Sequence, residues 1–110
     1  MDVVKESIIW SGRTGEVWEA YDGQDGPGIF MRVDTREANF PPESRVDYVC
    51  SLNGNQAQWM TTGGSCIYED TTEGFTVFVR RSDGGPLTPQ QAREWNWSIT
   101  WFGRSSPSQF

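Results

Sequence analysis

With 110 residues, 35% of them hydrophobic and 14% aromatic, the chain holds enough for one core built from a few large side chains. Nine basic residues against 15 acidic ones leave a net charge of −6, which excludes charge-driven binding to nucleic acid or an anionic membrane. The absence of histidine excludes Ser-His-Asp triads and imidazole metal ligands.

Met1-Asp2-Val3-Val4-Lys5-Glu6 lacks the basic start and apolar centre of a secretory signal, and no stretch reaches membrane-spanning length. No membrane insertion is expected, and the compartment stays open. One domain is expected over residues 1–110, with 104–110 as a frayed tail. The 12 glycines and 6 prolines suit short strands joined by tight turns.

Ser7-Ile8-Ile9-Trp10 predicts a short first strand. Residues 22–28 form a turn-rich run leading into Ile29-Phe30-Met31-Arg32-Val33, where Ile29, Met31 and Val33 share one face. Pro41-Pro42 precede 46–52, which sets Val46, Tyr48, Cys50 and Leu52 together and ends at Asn53-Gly54, a favoured hairpin pair. Segments 56–60 and 65–68 predict a shorter pair around Gly63-Gly64. Residues 74–81 place Phe75, Val77 and Val79 on one face. Thr88-Pro89-Gln90-Gln91 supplies an N-cap hydroxyl, proline at the first helical position and glutamine at the third, so a short helical turn is expected near 88–94. The last strand is predicted over 95–102, where Trp95, Trp97, Ile99 and Trp101 alternate with Asn96, Ser98 and Thr100. Together these elements predict an all-β fold, an antiparallel β-sandwich of about six to seven short strands with one short helical turn.

Cys50 and Cys66 either close one disulfide, worth about 3 kcal/mol for such a loop, or stand as two thiols acting as small hydrophobes. No C-x-x-C spacing occurs. The run Asp22-Gly23-Gln24-Asp25-Gly26 lacks the ordered spacing and closing glutamate of a calcium loop and reads as a structural turn. No metal, cofactor or catalytic residue is expected, and the chain is not expected to be an enzyme. A small hydrolase using Asp and Glu is a remote alternative.

Two segments put polar groups beside aromatics: Gln58-Trp59-Met60-Thr61-Thr62 and Arg80-Arg81-Ser82-Asp83-Gly84-Gly85. Charged groups bind sugar hydroxyls through charge-assisted hydrogen bonds, and an aromatic face packs on the C–H side of the ring. Arg81, Ser82 and Asp83 are the candidate carbohydrate contacts, supported by Thr62 and Trp59. The alternatives are a hairpin turn whose Arg81 and Asp83 pair or face water, and a Trp59 belonging to the core.

Residues 44–52, then Ser65-Cys66-Ile67-Tyr68-Glu69-Asp70-Thr71-Thr72-Glu73-Gly74-Phe75, then Trp97-Ser98-Ile99-Thr100-Trp101-Phe102 resemble the H-type lectin pattern. The resemblance covers about residues 40–103, and Gly74-Phe75 and Ser98-Ile99-Thr100-Trp101 are its firmest points. It implies a six-stranded antiparallel sandwich, commonly a trimer, that binds N-acetylgalactosamine or related sugars without catalysis. The positions of the family's sugar-stacking Trp-His pair fall near Ser82 and Asp83, and its sugar-binding arginine near Thr62. The resemblance therefore implies the scaffold and not that sugar preference. The expected partner is a glycan or glycoconjugate. A homo-oligomer, with a trimer favoured, is expected from the aromatic surface that one small core leaves over. The rival reading is a structural or assembly domain, such as a fibre-tip module, without glycan binding.

Overall fold

The computed structural model describes residues 7–23 and 26–107. Its strands run in chain order β1 (Ile9–Arg13), β2 (Glu19–Gly23), β3 (Gly26–Asp34), β4 (Arg45–Asn53), β5 (Thr61–Thr62), β6 (Tyr68–Thr71), β7 (Gly74–Arg81) and β8 (Ser98–Ser106). One helix, α1 (Pro89–Glu94), and two 3-10 turns, Arg36–Ala38 and Gln58–Met60, complete the described elements. The fold is an all-β sandwich of two antiparallel sheets. A three-stranded sheet has the order β1-β8-β4, and a larger sheet has the order β2-β3-β7-β5 with β6 also paired to β7.

Period-two alternation explains the core. In the larger sheet Ile29, Met31 and Val33 lie directly across from Val79, Val77 and Phe75, and all six are fully buried. Ile99 and Trp101 of β8 and Val46 and Tyr48 of β4 close the core from the other side. Gly103 sits opposite Tyr48, where a Cβ would stand 3.0 Å from the Phe40 ring and 3.1 Å from Tyr48. Only glycine leaves room there for both rings.

Tyr48 also joins the sheets chemically. Its hydroxyl donates to the Thr71 carbonyl at 2.6 Å. Having only one proton, it must accept from the Thr35 hydroxyl, 2.8 Å away. Burial raises the Tyr48 pKa above that of a free phenol. Trp18 donates its indole N–H to the Trp97 carbonyl at 2.9 Å, and Trp97 donates to the Gln56 carbonyl at 2.9 Å. Burying an indole without such a partner would cost on the order of 2 kcal/mol.

The helix forms as its sequence signals require. Thr88 caps it reciprocally: Gln91 N–H donates to the Thr88 hydroxyl at 3.1 Å, and Thr88 N–H donates to Gln91 Oε1 at 3.0 Å. Its far end corrects the expected strand start at Trp95. Trp97 N–H donates to the Ala92 carbonyl and Asn96 N–H to the Arg93 carbonyl, with Asn96 left-handed at φ 56°. This is a Schellman ending with asparagine in the place glycine often takes. Trp95 thus belongs to the helix cap and lies tilted against Trp97, with ring centres 5.2 Å apart. Strand β8 starts at Ser98 and runs to Ser106, so residues 104–106 are ladder residues, not fraying ones, and Ser105 is buried. Residues 108–110 of the expected tail lie outside the described residues.

Two further expectations change. The predicted pair 56–60 and 65–68 is a 3-10 turn at Gln58–Met60 followed by the two-residue β5, and β6 begins only at Tyr68. Strand β2, which carries no apolar alternation, forms as an edge hairpin with β3: Asp22 lies across from Pro27 and Gly23 from Gly26. Gln24 and Asp25 of the run weighed as a calcium loop lie outside the described residues.

Candidate ligand-binding trough

Strand parity sends Phe30 and Phe78 to the outer face of the larger sheet, opposite the core-facing Ile29, Met31, Val77 and Val79. Phe30 lies across from Phe78, with ring centres 5.8 Å apart. Tyr21 from β2 meets Phe78 edge-on at 4.9 Å, and Tyr68 from β6 meets it at 5.3 Å from the other side. Three aromatic rings therefore gather around Phe78 on a surface that an ordinary sandwich would leave polar. Both tyrosines remain nearly half exposed, Tyr21 at 43% and Tyr68 at 49%.

Beside the rings the surface dips. Tyr21 lies across from Gly28, and the position of a Cβ on Gly28 would be 3.3 Å from the Arg80 Cβ and 2.7 Å from the Val79 carbonyl. Arg80 in turn lies across from Thr62. The row Tyr21, Gly28, Arg80, Thr62 thus crosses four strands with one side chain missing in the middle. The resulting trough encloses about 370 Å³. Gly63 and Cys66 form the wall beyond Thr62. The wall turn is closed by Cys66 N–H donating to the Gly63 carbonyl at 3.1 Å.

Of the sequence-predicted contacts, only Thr62 lines this trough. The structure does bring the two predicted segments together: Thr61 pairs with Arg81, and Ser82 N–H donates to the Met60 carbonyl at 2.8 Å. Arg81 and Asp83 are committed to each other. The guanidinium donates through Nε at 3.0 Å and through Nη2 at 2.8 Å, while Asp83 also accepts from the Gly85 N–H at 2.9 Å. The Arg81 guanidinium and the Gly85 N–H hold the Asp83 carboxyl well below the usual range. The two charges pair with each other, as the alternative for these residues had it, but on a turn that leads from β7 to α1 and not in a hairpin. Ser82, between them, is exposed. Trp59 is not a core residue: it is 86% exposed on the 3-10 turn, outside the trough lining.

Tyr21, Gly28, Tyr68, Phe78 and Arg80 were missed as site residues. The signal was present in Phe30 and Phe78, aromatics at the outward parity of two strands whose inward positions were already filled. Chemically the trough offers ring faces and edges, two phenol groups, one guanidinium and one hydroxyl. Among the described residues no group of three or more His, Cys, Asp or Glu side chains converges as a metal site, and no helix is long and apolar enough to cross a membrane. No known protein family, no curated protein and no solved structure matches the chain.

Proposed function

We propose that this protein is a non-catalytic carbohydrate-binding module that takes its glycan in the aromatic trough. The observation that carries the reading is the row Tyr21, Gly28, Arg80, Thr62 beside the Phe78 cluster. A pyranose has an apolar C–H face and a rim of hydroxyls. The rings suit the first, and the guanidinium and hydroxyls of Arg80, Thr62 and the tyrosines suit the second. The volume of about 370 Å³ accommodates a mono- or disaccharide unit. The sequence pattern that resembles H-type lectins prompts the same ligand class, but no family matches the chain, so the trough alone carries the reading.

A glycan array on the full chain tests the reading, with Phe78→Ala as the paired variant. The wild type should bind a subset of glycans, and the variant should lose at least about tenfold in affinity, the consequence of about 1.4 kcal/mol of lost stacking. No signal at high micromolar protein would sink the proposal.

A second reading, an assembly module, has its own observation. On the outer face of the three-stranded sheet Ile9, Val49 and Phe102 are 61%, 66% and 53% exposed. Val49 lies directly across from Phe102, and Ile9 is one row away. Arg45, Arg104 and Asp47 flank them in a loose ion-pair group at 3.6 and 3.8 Å. Contiguous exposed apolar side chains mark protein contacts, and the expected homo-oligomer, a trimer, would use this face. Sedimentation or light scattering at micromolar concentration distinguishes monomer from oligomer.

A further inference from the structure

We propose that Cys50 and Cys66 are a disulfide-forming pair that staples the wall of the trough to the opposite sheet. Both thiols are free. Cys50 projects from β4 on the same side as Val46, Tyr48 and Leu52, packed against the core. The wall turn, residues 63–66, lies over it. The Cys50 Sγ is 3.7 Å from the Gly64 carbonyl, to which its S–H donates, and a Cβ on Gly64 would stand 2.9 Å from the Leu52 Cβ. Cys66, two residues past Gly64 in a turn closed on Gly63, is exposed and lines the trough. The two sulfurs therefore belong to one small neighbourhood, with Cys66 exposed and Cys50 half-buried.

With a small disulfide such as oxidised glutathione as the oxidant, the more exposed thiol reacts first. The Cys66 thiolate attacks one glutathione sulfur, forming a mixed disulfide and releasing glutathione thiolate. Cys50 gives its proton to solvent, its thiolate attacks the Cys66 sulfur, and the second glutathione leaves as thiolate. Two protein S–H bonds become one S–S bond, and the oxidant is reduced to two thiols. Burial, with the nearby Cys66 adding to it, pushes the Cys50 thiol up to about 11, so the second step is the slow one.

The bond would cross from β4 in one sheet to the turn before β6 in the other. It would hold the wall beside Thr62 and Gly63 in place before a ligand arrives, and a pre-ordered wall binds more tightly. This consequence, unlike the bond itself, rests on the carbohydrate reading of the trough.

The test exposes the full chain to oxidised glutathione and follows intact mass, then compares glycan affinity of the oxidised and dithiothreitol-reduced forms. The expected result is a monomer lighter by two hydrogens, reversible by dithiothreitol, absent in Cys66→Ser, and several-fold tighter for glycan than the reduced protein. A stable mixed disulfide at Cys66 that never resolves, or a disulfide-linked dimer, overturns the pair. Equal glycan affinity in both forms overturns the coupling to the trough. A bond that forms in a protein binding no glycan in either state sinks the carbohydrate reading and leaves the staple standing. Cys50→Ser, which keeps the exposed thiol, should stop at the mixed disulfide; if it takes up no glutathione while the wild type forms the bond, Cys66 is not the first thiol to react and the assignment is wrong.

Discussion

The two outer faces of the sandwich use exposed apolar residues differently. On the larger sheet, Tyr21 and Tyr68 meet Phe78 edge-on, Phe30 lies tilted against it, and a recess is left at Gly28. On the three-stranded sheet, Ile9, Val49 and Phe102 stand exposed beside the Asp47 ion-pair group. Rings that are already packed are pre-organised and shaped, which suits a small ligand. Adjacent apolar side chains exposed on an open sheet are covered only by another surface. One sandwich thus carries two chemically distinct faces around a shared core.

Removing the shared core should abolish both. Trp97→Ala deletes a fully buried indole and its bond to the Gln56 carbonyl, and should cost about 3–5 kcal/mol in a denaturation experiment. Phe78→Ala should separate the faces: glycan affinity falls at least about tenfold, stability falls by about 1–2 kcal/mol, and oligomer mass is unchanged. Phe102→Asp should do the reverse, lowering any oligomer mass in light scattering while leaving glycan affinity intact and stability within about 1 kcal/mol.

Asp83→Ala should have the smallest effect on binding, because Asp83 is occupied by Arg81 and Gly85 outside the trough. A loss of glycan affinity in that variant would move the site to the turn between β7 and α1 and to Trp59. Its signature belongs to acid stability instead. Asp83 and Asp34 both have carboxyls lowered by arginine partners, Asp34 to about 2. A depressed folded pKa gives stability that is complete above the unfolded value of 3.8 and lost as pH falls through the folded one. Urea titrations should therefore show stability declining from about pH 4 towards about pH 2, with a shallower decline in Asp83→Ala.

Much of the fold was legible because it depends on local pattern. The strict alternation of 29–33, 46–52 and 74–81 marked three core strands, and Thr88, Pro89 and Gln91 marked the helix by its own capping chemistry. The pattern misled where two periodicities ran together. Trp95 and Trp97 keep a two-residue spacing across the helix cap, so the strand was read three residues early. Strand β2 was not legible, since as an exposed edge it needs no apolar side.

The sequence by itself determined the sandwich class, the buried faces and the capped helix, because burial periodicity and backbone capping are properties of neighbours in the chain. Only the tertiary structure decided the candidate site. Tyr21, Gly28, Tyr68, Phe78 and Arg80 come from four different strands, and their meeting depends on register between strands far apart in sequence. Arg81 and Asp83, two residues apart in one turn, suit a sugar by residue type, but their local geometry commits them to each other.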